Sequence, residues 1–437
     1  NATALGTASA PYDLSTHDHN GNTTSRNTAN CYLISAPGHY RIPLVYGNAF
    51  KNGSDNQSSY KTSNTGTYIL STFKDHLNHD ITNPWIEKSN TANANIDGAK
   101  IVWSDEKDLV TSPTIAHDAS GDGYLDFEVK ATDIKSGNAV VAVTKGGTVV
   151  WSWHLWFAPK SALTPIPVTN YQNKIYNFTT ETLGWKPTRW GGSTYDKPRT
   201  VKVKVEQTVA NGGTKQVSEF TITQNPSNVR EGVTTLYQFG RKDAFPGVAT
   251  ADIKQGSITE YAGNNLSIKS VIQNPGSFYT STSSNNWAAN YGYYNLWSAD
   301  NTVIGGNDNS VVKTVYDPCP VGFKMPASNA FTGFTANGIG YNTMNVDGTD
   351  DFQTFRNNFG HNFWTSRSKT ATINFPAAGW RYHGDGSLHV VGQEGYYWSA
   401  VPAFGDNACC LDFNWNHVNP LAPDYRAYGY AVRPVSE

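Results

Sequence analysis

The chain has 437 residues, of which 16% are charged and 13% aromatic, and its formal net charge is −2. This length predicts two or three domains, and the low charge with many Asn, Gly, Thr and Ser residues is typical of β-rich extracellular proteins. The near-neutral charge without a basic cluster argues against nucleic acid or an anionic membrane as a partner.

Two features concern the cellular location of the chain. It begins with Asn, and neither a signal peptide nor an apolar run of the ~18 residues needed for a membrane helix is present. We therefore expect a processed, extracellular product without a membrane span, whose export signal or anchor lies outside these residues.

The first 160 residues predict an N-terminal β-sandwich. Residues 1–25 are polar and lack hydrophobic periodicity, so they predict an extended or poorly ordered lead-in. Short apolar runs separated by turn signals then predict an immunoglobulin-like sandwich over residues 26–160. The predicted strands are 31–35, 40–46, 100–103, 124–130, 139–144 and 148–157. Alternation within WSWHLWF (151–157) predicts a half-buried strand with an outward-facing His154.

A linker and a hairpin are predicted next. Residues 159–167 contain three prolines and predict a linker. Two strictly alternating segments around Asn211-Gly212-Gly213 predict a β-hairpin over residues 199–224. Because its strands are amphipathic, we expect one face to pack on a core.

Residues 161–437 predict a second, α+β domain that is rich in aromatic residues. Helices are predicted from Ser328 and over residues 350–359, with Asp350 as the cap. Three apolar-Trp-Ser/Thr segments predict core strands around Trp297, Trp364 and Trp398, each with a polar residue after the buried ring.

The sequence contains few segments that resemble catalytic or metal-binding motifs. The Asp- and Gly-rich residues 118–123 resemble a calcium loop, but Val129 stands where such a loop needs a bidentate Glu, so a turn before a strand is predicted. The histidines lack the spacing of a metal site, and no nucleophile or phosphate-binding motif occurs. We predict no catalytic residue, metal or cofactor.

Four cysteines are too few for a disulfide scaffold. Cys409 and Cys410 are adjacent, so on a strand one should point inward and the other outward. A bond from Cys319 to either one remains open, whereas Cys31 has no predicted partner.

Three stretches together resemble a known family. They are YQFGRKDAFPG (237–247), YDPCPVGFKMPASNAFTGFT (316–335) and the YYWSA…YGYAVRPV ending (396–435). They are similar to the major paralogous domain first named from Fibrobacter, which occurs on surface and fimbrial-tip proteins of gut Gram-negative bacteria. The resemblance implies a C-type-lectin-like fold. Residues 28–49 and 149–157 resemble the domain that commonly precedes it.

The region 375–435 also resembles the variable regions of proteins diversified by a retroelement, where template adenines are randomised while the scaffold stays fixed. This resemblance implies a ligand-binding face made of interchangeable side chains between scaffold positions. The implied positions are Tyr382, His383, His389, Val391, Val401, Phe404, Asp406, Cys409, Cys410, Trp415, His417, Leu421, Asp424, Tyr425 and Tyr428. Trp415, Tyr425 and Phe404 are the expected anchors, and ordinary loop residues of a non-diversified domain are the alternative.

We therefore predict a mainly β chain with an immunoglobulin-like sandwich and a C-type-lectin-like domain that carries an inserted hairpin. It is expected to be a non-enzymatic surface adhesin or fimbrial-tip protein that binds an unknown protein or glycan on another cell, phage or host surface. A carbohydrate-binding module and a structural fimbrial subunit are the alternatives. Calcium-dependent sugar binding is not implied, because Trp415-Asn416 is followed by His417 and no Glu-Pro-Asn occurs.

Overall fold

The computed structural model describes residues 2–188, 199–208, 212–224, 230–263, 266–280, 286–288, 292–340, 343–348 and 351–437. Strands dominate these residues, which confirms the prediction of a mainly β fold. The α-helices are short and span Ile86–Ser89, Ile268–Gln273 and Phe352–Asn358. Within the described residues, no helix is both long enough and apolar enough to cross a membrane.

Two sheets form most of the N-terminal part. In spatial order, the first contains Tyr12–Asp13, Gly38–Pro43, Gly123–Val129 and Thr111–His117. The second contains Gln255–Gly256, Gly98–Ser104, Gly137–Lys145, Thr148–Phe157 and Cys31–Ile34. All six predicted strands are present, five with shifted ends and 148–157 with the predicted ends, whereas Thr111–His117 was not predicted. The immunoglobulin-like layout remains a prediction.

Residues 2–25 are more structured than their composition predicts. Tyr12 and Asp13 pair in parallel with Tyr40 and Arg41, and the backbone N–H of Leu5 donates to the Pro37 carbonyl. Leu14 is buried in the core. Of the two predicted alternatives, extended or poorly ordered, the second is therefore wrong for these residues. Backbone hydrogen bonds hold them to the first sheet although their sequence lacks hydrophobic periodicity.

The strand Thr148–Phe157 is buried on both faces, so the prediction of a half-buried strand is wrong. His154 is 2% exposed rather than outward-facing. Its Nε2–H donates to Asn138 Oδ1 over 2.9 Å, and the Tyr237 hydroxyl donates to Nδ1 over 3.1 Å. The second face is covered by residues distant in sequence, which local alternation does not reveal.

One hydrophobic core runs through both predicted domains. It includes Leu163 and Val168 from the predicted linker, which forms a 3-10 turn at Lys160–Leu163 and a strand at Pro165–Thr169. Direct contacts join the two parts, including Trp103 Nε1–H donating to the Ala244 carbonyl over 2.9 Å. Residues 159–167 are thus part of the packed structure.

Several small sheets build the C-terminal part. A four-stranded sheet contains Pro165–Thr169, Ile175–Thr179, Val435–Ser436 and Phe323–Lys324. A five-stranded sheet contains Phe245–Pro246, Thr235–Gln238, Gly429–Tyr430, Trp380–Arg381 and Leu388–His389. A three-stranded antiparallel sheet contains Glu394–Pro402, Asn407–Asn414 and His417–Tyr425. Two-stranded pairs here are Gly360–Trp364 with Thr372–Pro376 and Lys186–Pro187 with Gly232–Val233. The N-terminal part contains a further pair, Phe50–Lys51 with Ser54–Asp55.

The predicted hairpin is present, but it does not pack on a core. Arg199–Glu206 pairs in antiparallel register with Val217–Gln224. Val201, Phe220 and Ile222 share one face, yet 50–62% of each is exposed. The expectation of a buried face is wrong for these residues, because their side chains remain largely exposed. Asn211, in the predicted turn, lies outside them.

The helix and tryptophan predictions are met in part. Ser328–Phe334 is a 3-10 helix rather than an α-helix. The second predicted helix is present, and its cap is Asp351, whose side chain accepts a hydrogen bond from the Thr354 N–H; Asp350 lies outside the described residues. Trp297 and Trp398 are fully buried as predicted, but Trp297 lies in a bend rather than in the predicted strand. Trp364 lies in a strand and is only half-buried.

Candidate ligand-binding face

The three-stranded sheet positions the candidate site through simple alternation. On Glu394–Pro402, the side chains of Glu394, Tyr396 and Trp398 lie on one face. Tyr396 pairs with Asp412 and Trp398 with Cys410 on the central strand. This face therefore combines a buried ring, a half-buried ring and two carboxylates.

Eight rings form a continuous cluster over this face, which we call the aromatic cluster. Its members are Trp380, Tyr382, His383, His389, Tyr396, Tyr425, Tyr428 and Tyr430. Trp380 stacks on His389 with ring centroids 4.7 Å apart, and Tyr428 lies 5.3 Å from Trp380 and 4.7 Å from His383. Tyr430 is buried, and the others are partly or largely accessible. Such pairs prefer offset or edge-to-face geometry, so the cluster is held together by its own contacts.

The backbone beneath the cluster is constrained at two positions. Gly379 has φ +67°, and a Cβ there would lie 2.3 Å from the His389 carbonyl oxygen, so only glycine fits. Val390 is β-branched yet has φ +48°, a conformation that costs about 1–3 kcal/mol. The turn that presents His389 is thus held in place by the surrounding structure.

Carboxylates border the cluster on the sheet face. Tyr396 OH donates to Glu394 Oε2 over 3.0 Å, and Trp380 Nε1–H donates to the same oxygen over 3.4 Å. Burial raises the pKa of Tyr396, and the negative charges of Glu394, Asp412 and Asp424 raise it further. Burial also raises the pKa of Asp424, which accepts a hydrogen bond from the Tyr430 hydroxyl.

The structure brings together six of the predicted positions, which come from separate loops and strands. Tyr382, His383, His389, Tyr425 and Tyr428 belong to the aromatic cluster, and Asp424 lies directly against it. We assign the candidate site to this group.

Other predicted positions lie elsewhere on the three-stranded sheet. Phe404 and Asp406 follow its first strand, whereas Trp415 lies in the turn after its second strand. The central strand of eight residues places these turns at opposite ends, about 25 Å apart. Phe404 and Trp415 therefore do not form one anchor group; Tyr425 pairs with Asn407 and lies at the end of the sheet that carries Phe404. Trp415 instead contacts Phe352, with ring centroids 6.3 Å apart.

Three further predicted positions remain partly accessible. Val391 lies beside Gly379, and Leu421 lies beside Gly306. His417 Nε2–H donates to Asp412 Oδ1 over 2.6 Å, and this hydrogen bond raises the pKa of His417.

Val401, Cys409 and Cys410 are buried, which contradicts their predicted place on the face. They are 2%, 3% and 0% exposed. Both cysteines are inside because this strand is covered on both sides, so the expected in-and-out alternation is wrong. Burial raises the pKa of Cys409 to about 12, and Cys319, Cys409 and Cys410 are free thiols rather than disulfide partners.

Sequence reasoning missed three cluster members and two of the bordering carboxylates as site residues. Trp380, Tyr396 and Tyr430 were not among the implied positions, and Glu394 and Asp412 lacked distinguishing context. The period-two spacing of Glu394, Tyr396 and Trp398 was the available signal, because it places them on one sheet face.

Comparisons with known proteins bear on this region only. A family model described as a domain of unknown function (DUF8237) matches residues 348–435, which include the whole candidate site. Neither the curated proteins nor the solved structures include a match to the chain. Among the described residues, no group of three or more His, Cys, Asp or Glu side chains is placed to hold a metal ion.

Proposed function

We propose that this chain is a ligand-binding adhesin of a bacterial cell surface, at the outer membrane or a fimbrial tip, and that the aromatic cluster is its binding face. The observation that carries the proposal is the convergence of Tyr382, His383, His389, Tyr425 and Tyr428 in one partly accessible cluster. The resemblance to surface and fimbrial-tip proteins supports the location.

Binding works by rigid presentation. Tyr and Trp provide large contact area and have few rotatable bonds. The rings already contact each other, so a partner restricts little additional side-chain motion. Burial of a ring by a partner contributes about 2 kcal/mol or more at the centre of an interface.

The ring geometry favours a protein ligand over a glycan. A carbohydrate-binding platform would present exposed, coplanar rings. Here Tyr428 meets Trp380 at 84° and His383 meets Tyr425 at 87°, whereas Tyr425 and Tyr428 lie at 21° to each other. The cluster is therefore an irregular surface, which suits the varied shape of a protein.

The pattern of burial supports diversification of this face. Twelve of the fifteen implied positions are at least partly accessible, and substitutions at such positions usually change stability little. Comparison of closely related genomes tests this part. We expect differences at the accessible positions and constancy at buried Trp398 and Arg433. Uniform divergence along the chain would exclude diversification.

Adhesion of beads coated with the full chain to panels of bacterial and host cells tests the binding function. We expect Tyr382→Ala and Tyr428→Ala each to weaken adhesion about tenfold or more. Tyr68→Ala is the matched control, because Tyr68 is 48% exposed and lies outside the cluster. Absence of adhesion to every cell type, or equal losses in all three variants, would contradict the proposal.

A further inference from the structure

The charge of the candidate site is one-sided. Residues 376–437 contain three arginines and no lysine, against four aspartates and two glutamates. Within this segment, the location of the three arginines therefore decides which charges can face a partner.

All three arginines are buried and bind backbone carbonyls below the surface. Arg381 donates to the carbonyls of Pro246 and Gly386 at 2.7–3.0 Å. Arg426 donates to those of Asn407 and Tyr293 at 3.1 and 2.9 Å. Arg433 donates to those of Thr179 and Asn374 at 2.8 and 3.0 Å. Each is 2% exposed or less. Their positive charges are committed to the framework and do not face a partner.

The carboxylates, in contrast, lie at the aromatic cluster. Glu394, Asp412 and Asp424 surround the Tyr396 ring, and each side chain is partly accessible. Asp385 lies in the loop between Tyr382 and His389, where its Oδ1 accepts a hydrogen bond from Ser387 Oγ. The imidazoles of His383, His389 and His417 are the remaining titratable nitrogens here.

We infer that the aromatic cluster binds lysine or arginine side chains of a basic segment on a partner protein; this rests on the proposed function. Ring faces attract an ammonium or guanidinium group within about 6 Å, and the bordering carboxylates complement its charge. The five accessible Trp and Tyr rings (Trp380, Tyr382, Tyr396, Tyr425 and Tyr428) come from several loops and strands and offer more than one such position, which favours a polypeptide with several cations over a single small cation.

Fluorescence anisotropy with the full chain tests this inference. The probes are a labelled peptide of alternating lysine and serine, and the same peptide with every lysine acetylated. Acetylation removes the charge and preserves the chain length. We expect the lysine peptide to bind at least tenfold more tightly, with affinity that falls as salt rises to about 0.3 M.

Isosteric variants keep the fold intact while removing the charges. Glu394→Gln combined with Asp412→Asn retains acceptor oxygens for Tyr396 and His417, and we expect at least a tenfold loss of lysine-peptide affinity. Glu219→Gln on the exposed hairpin is the matched control and should bind like the parent chain. Thermal unfolding of Glu219→Gln should stay unchanged, and the unfolding temperature of the neutralised variant should fall only slightly, because the His417–Asp412 hydrogen bond loses its charge.

Equal binding of the acetylated peptide would overturn the inference. Undiminished lysine-peptide binding by the Glu394→Gln, Asp412→Asn variant would also overturn it. Preference for a glycan over the lysine peptide would also overturn it. Adhesion that depends on Tyr382 and Tyr428 but ignores lysine acetylation of the partner would leave the proposed function standing and remove this inference. Charge-dependent peptide binding without adhesion to any cell would contradict the proposed adhesion function, while the preference of the aromatic cluster for lysine would stand.

Discussion

Residues 376–437 contain two groups of side chains with different surroundings, although their members are interspersed along the chain. Arg433 is fully buried and bonds to Thr179 and Thr182, more than 250 residues away in sequence. Tyr382 is half-buried and meets mainly neighbouring rings of the cluster. The first group holds the chain together, whereas the second forms a surface. Stability and recognition are thus assigned to different residues of one short segment.

Replacement of Arg433 by Met should show the largest effect. Its guanidinium serves four acceptors from the backbone and from Thr182 and lies 4.7 Å from the Phe375 ring. Loss of the charge leaves those buried acceptors unpaired, so we expect a decrease of about 3–5 kcal/mol in the free energy of unfolding. Urea denaturation measures it. Arg367→Met, at an exposed arginine, should change the free energy of unfolding little. Similar losses in both variants would contradict the assignment of stability to the buried group.

His154→Leu should have the next largest effect. The imidazole connects Asn138 to Tyr237, which belong to the two predicted domains. Burial lowers the pKa of His154 to about 3, so the ring stays neutral at physiological pH. Leu removes both hydrogen bonds inside the core, so we expect a decrease of about 2–3 kcal/mol in the free energy of unfolding, measured by urea denaturation. Exposed His389→Leu is the control. A single cooperative transition in both variants would indicate that the two parts unfold together.

These buried contacts mark the limit of sequence-based prediction. Alternation located the strand 148–157 and the hairpin 199–224, because local period and turn signals are properties of short segments. It failed on His154, Cys410 and Val201, because burial of a second face depends on residues distant in sequence. Two of these are buried against expectation, and Val201 is exposed against expectation.

The candidate site was predictable to a similar degree. Resemblance to variable regions supplied five cluster positions, since that pattern is visible along the chain. Trp380 and Tyr430 were missed, because their membership depends on strand pairing that brings Trp380 beside His389 and Gly429 beside Arg381. Separation of Phe404 from Trp415 likewise follows only from the register of the central strand.

Tyr382→Ala tests the second group of side chains, which forms the surface. Its ring is half-exposed and contacts other half-exposed rings, so we expect a loss of stability below about 1 kcal/mol. The same variant should weaken adhesion about tenfold. Urea denaturation and the bead assay, measured on one protein preparation, separate the two effects. A destabilisation comparable to that of Arg433→Met would show that the cluster belongs to the framework.

The His417–Asp412 pair should give the smallest effect, and it depends on pH. Because the hydrogen bond to Asp412 raises the pKa of His417, the folded state binds this proton more tightly than the unfolded state. The pair therefore stabilises the fold fully below the unfolded pKa of about 6.5 and loses this contribution as pH rises through the higher folded value. Since both side chains are about one-fifth exposed, we expect less than about 1 kcal/mol. His417→Gln should flatten the pH dependence of the urea midpoint between about pH 6 and 8; an unchanged slope would exclude this role. The contribution is small because the His417 ring still meets solvent, and it is titratable because the His417 proton is held by Asp412, a carboxylate that borders the aromatic cluster.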